Sequence, residues 1–174
     1  MRIAALLFML ALGAGAVRSE SLDRTPLGAV DPHPTPPEVI ARLYEFDAFQ
    51  QAAIDRTAAL SNSDVQNVAA LRAEAALQRD QALVELQHRA GKAEISRPAA
   101  GERADVLAAM DSAEGPAFVR SFYAAQLAQY EMTVSVLERY LQSSDIDDVK
   151  NFAAAQLPRL RAELEDTRAA LAEK

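Results

Sequence analysis

The sequence predicts an all-α protein built as a four-helix bundle. Apolar residues recur at alternating spacings of three and four along four long stretches, which is the period of an amphipathic helix. Half of the 174 residues are hydrophobic, which is enough to build the core of one ordinary domain. No stretch shows the period of two that marks a β-strand. Four helices with one apolar stripe each bury those stripes most simply against one another.

Composition excludes several classes of protein. The chain has no cysteine, so disulfide scaffolds, thiol nucleophiles, zinc–thiolate sites and a lipidated cysteine are ruled out. Its 25 acidic residues outnumber its 18 basic residues, which gives a net charge of -7. This acidic balance disfavours nonspecific binding to nucleic acid or to an anionic membrane. We therefore expect no nucleic-acid partner.

The first 16 residues resemble a secretory signal peptide. Arg2 gives a basic start, residues 3–12 form an unbroken apolar run, and Ala14 and Ala16 occupy the positions that a signal peptidase reads. The alternative is a membrane anchor, but a membrane span needs about 20 apolar residues. The sequence thus predicts cleavage after Ala16, a mature chain with no integral membrane span, and a periplasmic or secreted location.

Residues 17–35 are predicted to form an extended tether. Pro26, Pro32 and Pro34 lie within this segment, and each proline removes a backbone donor and disfavours helix at the preceding residue. His33 stands between two of these prolines and is interpreted as a solvated side chain rather than a metal ligand.

The bundle domain is predicted to span residues 36–174, and its first helix begins at Pro36. Thr35 can cap the helix, proline suits the first turn, and Glu38 can complete a capping box. The segment 61–63, Ser-Asn-Ser, ends the helix and lets Ser63 form a second capping box with Gln66. The apolar stripe comprises Val39, Leu43, Phe46, Gln50, Ala53, Thr57 and Leu60.

The second helix is predicted over residues 64–90, where Gly91 is placed to end it. Arg72 and Arg79 fall near the middle of its apolar face, which is unusual for charged residues. Residues 92–101 contain Pro98 and indicate a loop. An extra short helix is predicted over 102–110, between the second and third long helices.

The third and fourth long helices complete the predicted bundle. The third covers residues 116–142, and its stripe places Tyr130 among Val119, Tyr123, Leu127, Val134, Leu137 and Leu141. The fourth restarts near Ser144 and Asp147, with an acidic first turn that the helix dipole favours. Pro158 lies inside the fourth helix, and since the apolar period continues on both sides, we expect a kink there rather than an end.

Catalytic machinery is absent from the sequence patterns. No glycine-rich phosphate loop, Gly-x-Ser-x-Gly elbow or His-Glu-x-x-His pair occurs. The chain has two histidines, and although Glu85 and His88 have the spacing of a di-iron half-site, they stand alone and are interpreted as solvated. The sequence predicts no catalytic residue, no metal ligand and no cofactor, and hence a protein that is not an enzyme.

A distinctive pattern closes the chain. It comprises Phe118, Phe122, Gln126, Glu138, Val149, Phe152, Ala153 and the run Leu157-Pro158-x-Leu160. This pattern resembles the C-terminal half of a bacterial family known as domain of unknown function 4142, whose members are described as outer-membrane proteins and grouped with ferritin-like bundles. The first half is similar at Val65, Ala69, Leu83 and Gly91. The resemblance implies a ferritin-like four-helix fold over residues 39–174 and implies no particular activity.

Typical members of that family carry three histidines on the second, third and fourth helices. The aligned positions in this chain are Ala76, Tyr130 and Glu163, so all three imidazoles are missing. If the family's histidines bind a metal, this chain departs from the pattern at every ligand. The resemblance therefore implies the fold and the compartment and argues against metal binding here.

Four residues form a candidate inward-facing polar cluster: Arg72, Arg79, Tyr130 and Glu163. Tyr130 is open to two interpretations, a buried phenol that carries a proton or a radical, or a core residue that hydrogen-bonds across the bundle. The two arginines could bind an anionic ligand, or pair with carboxylates such as Glu163. We expect one of them to lie within ion-pair distance of Glu163 or another carboxylate, with Tyr130 nearby.

The function most consistent with these patterns is that of an exported, non-enzymatic helical bundle that acts as a binding or stress-associated accessory protein. The alternative from the enzyme class is a metal-binding ferritin-like oxidoreductase. A third hypothesis, a bundle that opens onto lipid, is disfavoured by the acidic charge and by the lack of tryptophan. A protein partner or a second copy of the chain is compatible with the sequence, which does not identify either.

Overall fold

A computed structural model describes residues 34–58, 60, 62–89, 104–142 and 147–173, all within the compact unit Asp31–Lys174. Four long helices confirm the predicted all-α four-helix bundle, and no strand occurs in those ranges. The helices are α1 Pro36–Thr57, α2 Ser63–Arg89, α3 Ala104–Asp111, α4 Gly115–Leu141 and α5 Asp148–Ala172. The predicted signal peptide, the tether up to His33 and the 92–101 loop lie outside the described residues.

Side chains cap the starts of α1 and α2, and one of them also joins the two helices. At the start of α1, the backbone N–H and the hydroxyl of Thr35 both donate to Glu38 Oε2 at 2.7 Å, as in the predicted capping box. The cap of α2 is different from the prediction: Asn62 Oδ1, not the Ser63 hydroxyl, accepts from Val65 N at 3.1 Å. Gln66 instead donates from Nε2 to three carbonyl oxygens at the end of α1, which ties the two helices together.

The second pair of long helices starts with special backbone positions. Gly115 opens α4 with a φ of 53°, a conformation that glycine adopts without steric cost. At the start of α5, Asp147 accepts from Lys150 N at 2.7 Å, which satisfies one orphan donor of the first turn. The helix α5 continues through Pro158, which is exposed. Because the preceding turn at Ala154 is also exposed, its carbonyl oxygen can bond to water in place of the missing N–H.

Helices that are neighbours in sequence pack most extensively, α1 with α2 and α4 with α5. α1 also packs against α4, α3 and α5, so it is the central helix of the bundle. The buried core contains Phe46, Leu43 and Tyr130 of the predicted stripes, and three other large buried side chains, Tyr140, Phe122 and Ile40, lie beside those stripes. A charged residue on the inner face of α1 is therefore surrounded by the other helices.

Candidate functional site

Charged and polar side chains meet inside the bundle at the level of Phe46. Each of the four long helices contributes to this interior cluster: Asp47 from α1, Arg72 and Arg79 from α2, Tyr130 from α4 and Glu163 from α5. The first four side chains are buried, and Glu163 is partly buried. The structure therefore brings the sequence-predicted residues into one neighbourhood and adds Asp47 to them.

The ion pair of this cluster joins Arg79 to Asp47. Arg79 donates from Nε at 2.9 Å and from Nη2 at 2.5 Å, and both bonds reach the same carboxylate oxygen, Oδ1. Both residues are at most 4% exposed. The carboxylate partner of the arginine is thus Asp47 and not Glu163. A signal for Asp47 was present in the sequence, because it lies four residues after Leu43 and three before Gln50, on the same apolar face.

Tyr130 and Glu163 form a second polar contact, between α4 and α5. The Tyr130 hydroxyl donates to Glu163 Oε2 at 3.1 Å, and Arg159 Nε donates to the other carboxylate oxygen at 2.9 Å. Burial raises the pKa of Tyr130 above its ordinary value, so the phenol keeps its proton and acts as a donor. This geometry matches the interpretation of Tyr130 as a core residue that hydrogen-bonds across the bundle.

Arg72 has no carboxylate at ion-pair distance among the described residues. Its Nη2 donates to Thr167 Oγ1 of α5 at 2.7 Å, and its guanidinium carbon lies 5.1 Å from the centre of the Tyr130 ring. Arg79 is stacked in the same way, 5.1 Å from the ring of Phe46. The two rings contact each other edge to face at 4.9 Å. Cation–π contacts therefore connect both arginines through one aromatic pair.

A further set of buried polar residues joins α1 to α4, and sequence reasoning did not single it out. Arg42 donates to Thr133 Oγ1 at 3.0 Å and to Gln129 Oε1 at 2.8 Å. One level further along, Gln50 Nε2 donates to Gln126 Oε1 at 2.9 Å. These contacts fix the register of the two helices, because each polar group needs its own partner in the low-dielectric interior.

The stability of the protein is predicted to depend on pH through Asp47. Burial raises the pKa of Asp47 from 3.8 to about 7, and Arg79 only partly opposes this shift. Between about pH 4 and pH 7 the folded state holds a proton that the unfolded chain has lost, so this residue's contribution to stability falls as pH rises through that window. The melting temperatures of the wild type and of Asp47→Asn are measured as a function of pH. The two curves should differ in slope between about pH 4 and pH 7 and have the same slope above pH 7. Parallel curves throughout would contradict the shift.

Replacing Glu163 by alanine is expected to destabilise the bundle moderately. The change leaves the buried Tyr130 hydroxyl without its acceptor, which costs about 1–3 kcal/mol. Glu173→Ala is the matched control, since Glu173 is exposed at the end of α5. Thermal unfolding of both variants checks the prediction, and equal melting temperatures would show that the Tyr130–Glu163 contact contributes nothing.

A second feature, the end groove, lies where the α1–α2 connection meets the start of α4. Its volume is about 990 Å³. The apolar part of its lining comprises Leu60, Met110, Ala113, Pro116, Phe118 and Val119, and the charged part comprises Arg56, Asp111, Glu114 and Arg120. A volume of this size is sufficient for a small organic ligand.

The two arginines of the end groove differ in their partners. Arg56 Nε lies 2.8 Å from Asp111 Oδ1, and its Nη1 donates to the carbonyl oxygen of Ala52 at 2.9 Å. Arg120 is exposed, and within the described ranges it forms no hydrogen bond or ion pair. Arg56 is therefore neutralised by Asp111, whereas Arg120 is exposed and has no counter-charge among the residues that the structure describes.

Side chains of the types that bind metals lie apart from one another in the described part of the chain. Among the described residues, no three histidine, aspartate or glutamate side chains are grouped to hold a metal ion. His88 is exposed near the end of α2, away from the interior cluster, and Ala76 is fully buried.

None of the helices in the described ranges combines the length and the apolar composition that crossing a bilayer requires.

Comparison with known proteins gives one finding. A family model described as "Domain of unknown function (DUF4142)" matches residues 33–170. That range covers all five helices except the last two residues of α5. Neither the curated proteins nor the solved structures yield a significant match.

Proposed function

The chain belongs to the DUF4142 family, and from its own residues we propose that it is an exported, non-enzymatic binding protein whose ligand occupies the end groove. The family's description assigns no activity, so the proposal depends on the geometry of this chain. It rests on one observation above all: an open groove of about 990 Å³ combines apolar walls with the guanidinium of Arg120, which has no ion-pair partner in the described part of the chain.

The lining of the end groove favours an amphipathic ligand with an anionic group. Phe118, Val119 and Met110 are buried and offer apolar surface to a carbon skeleton. Arg120 stands beside this surface and can form a bidentate contact with a carboxylate, sulfonate or phosphate. Asp111 is held by Arg56, and the second carboxylate of the lining, Glu114, is exposed, so solvent screens its repulsion toward an incoming anion.

The test is a binding titration of the mature chain with 1-anilinonaphthalene-8-sulfonate, a fluorescent molecule with an apolar body and one sulfonate. We expect saturable binding that Arg120→Glu weakens at least about tenfold, which corresponds to about 1.4 kcal/mol. Arg89→Glu is the control, because Arg89 is an equally exposed arginine at the far end of α2. Absence of saturable binding, or equal affinities for the two variants, would rule out the end groove as an anion-binding site.

The exported location is supported by the N-terminal pattern of a basic residue, an apolar run and small residues. Cleavage after Ala16 leaves Val17 as the first residue of the mature protein. Mass spectrometry of the protein from the extracytoplasmic fraction should therefore find an N-terminus at Val17. Recovery of a chain that begins with Met1 in the membrane fraction would favour an anchor.

The purified mature chain is predicted to retain no transition metal after dialysis. The buried carboxylate of the interior cluster, Asp47, is already held by the guanidinium of Arg79, and a second cation would be repelled by that arginine and by Arg72. Elemental analysis of the dialysed protein checks this prediction. Stoichiometric iron, zinc or manganese would contradict it and would favour the alternative of a ferritin-like oxidoreductase.

A further inference from the structure

The end groove already holds a carboxylate, which belongs to the chain itself. Arg56 Nε lies 2.8 Å from Asp111 Oδ1, and Arg56 Nη2 donates to Asp111 Oδ2 at 3.2 Å. Both residues line the groove. The two carboxylate oxygens therefore lie along one edge of the guanidinium, which is the fork arrangement in which arginine binds carboxylates. Arg56 thus forms a carboxylate subsite, and Asp111 occupies it.

The backbone of α1 positions the guanidinium of this subsite. Arg56 Nη1 donates to the carbonyl oxygen of Ala52, one turn earlier in the same helix, at 2.9 Å. This bond uses Nη1 and leaves the edge formed by Nε and Nη2 for an anion. A side chain that is fixed before binding loses little further conformational freedom when an anion arrives, and this preorganisation favours affinity.

Asp111, by contrast, is weakly held. Its side chain is 54% exposed at the last residue of α3. Although its Oδ1 is close to Arg56 Nε, no acceptor in the described ranges is aligned for a hydrogen bond with that N–H. An exposed ion pair of this kind contributes about fivefold or less to an equilibrium constant. A ligand carboxylate that competes for Arg56 therefore has little binding energy to overcome.

We propose that Arg56 is a second anion subsite of the end groove, and that a ligand carboxylate occupies it in exchange for Asp111. With Arg120 as the first subsite, the ligand is a molecule with an apolar skeleton and two anionic groups, one of them a carboxylate. The groove volume of about 990 Å³ is sufficient for such a molecule. This inference rests on the proposed function and narrows the ligand class of the same groove.

The exchange at Arg56 requires only a rotation of the Asp111 side chain. Leu107 and Met110 anchor α3, since both are at most 5% exposed, so the helix keeps its place when the carboxylate turns toward solvent. The released Asp111 is then hydrated, and Arg56 is available to the ligand in the groove that the exposed Arg120 also lines. Asp111 therefore acts as a built-in competitor that lowers the affinity for ligands with a carboxylate at this subsite.

The experiment is a calorimetric titration of the mature chain with dodecanedioate, which has a carboxylate at each end. The comparison ligand is 12-hydroxydodecanoate, in which a hydroxyl replaces one carboxylate on the same carbon chain. We expect the wild type to bind dodecanedioate about threefold more tightly than the comparison ligand. In Asp111→Asn the competitor is gone, so this preference should increase to at least about tenfold.

Two further variants assign the effect to the Arg56 subsite. Arg56→Gln should abolish the preference for dodecanedioate, both alone and combined with Asp111→Asn, because the subsite itself is lost. Glu114→Gln is the matched control, since it removes the same charge from the groove lining without touching the Arg56–Asp111 pair. It should change the preference by less than about twofold, because Glu114 is exposed and screened by solvent. Each variant is first checked for the wild-type helical content.

Three results would overturn this inference alone. They are equal affinities of the two ligands for Asp111→Asn, an equal gain from Asp111→Asn and Glu114→Gln, and a gain from Asp111→Asn that persists in the Arg56→Gln background. The proposed function would stand in each case if Arg120→Glu still weakened the binding of 12-hydroxydodecanoate. Absence of saturable binding of both ligands would contradict the proposed function as well.

Discussion

Asp47→Ala is expected to lower the free energy of unfolding at pH 8, where Asp47 is ionised, by about 3–5 kcal/mol, because it leaves the guanidinium of Arg79 buried without a counter-ion. For a domain of this size such a loss lowers the melting temperature by roughly 10 °C. Asp55→Ala is the matched control, because Asp55 lies on the exposed face of the same helix. Thermal or urea unfolding of the two variants measures the difference, and a small effect of Asp47→Ala would mean that water reaches Arg79.

A double substitution separates the loss of the pair from the loss of packing. Asp47→Leu combined with Arg79→Met removes both charges and keeps much of the buried volume. Replacing a buried ion pair by apolar residues is often neutral or stabilising, so this variant should recover most of the stability that Asp47→Ala loses. If the double variant is as unstable as the single one, the ion pair itself stabilises the bundle.

Phe46→Ala is expected to cost about 3–5 kcal/mol, the range for removal of a large buried aromatic side chain. Phe46 is fully buried on the central helix. Its ring packs edge to face against the ring of Tyr130 and forms a cation–π contact with the guanidinium of Arg79. The substitution thus creates a cavity and removes the aromatic ring that the Arg79 guanidinium contacts. Leu71→Ala, at an exposed position of α2, should change stability by about 0.5 kcal/mol or less.

Phe46→Leu distinguishes the two parts of this effect. Leucine refills most of the volume but offers no ring to Tyr130 or Arg79, so an intermediate loss in urea unfolding is expected. A loss equal to that of Phe46→Ala would assign the whole effect to the aromatic contacts. Full stability of Phe46→Leu would instead show that only volume matters at this position.

The fold and the inward phase of the arginines could be predicted from the sequence, because both depend on the helical period alone. Arg72 and Arg79 lie on the apolar face of α2 that the period defines, and both are buried. The Thr35–Glu38 capping box is likewise a local pattern of four residues. The predicted stripe of α1 contains Phe46 and not Asp47, although the spacing of Asp47 from Leu43 also places it on the inner face, where it is buried.

The end groove could not be predicted in the same way, because it is assembled from distant parts of the chain. The end groove combines residues 56–63 with residues 110–120, and these segments meet only once the helices pack. The choice of Asp47 as the partner of Arg79 is likewise a matter of side-chain geometry. A periodic pattern identifies which face is buried, but it contains no information about which atoms on that face bind one another.

The pairing of sequence neighbours within the bundle has a consequence for the rate of folding. Because α1 packs mainly on α2 and α4 mainly on α5, most contacts join residues that are close along the chain. Chains with such local contacts fold fast, since little loop entropy is lost before each contact forms. The two helical hairpins can form early and dock afterwards through α1 and α4, so a refolding chain would expose its apolar stripes only briefly.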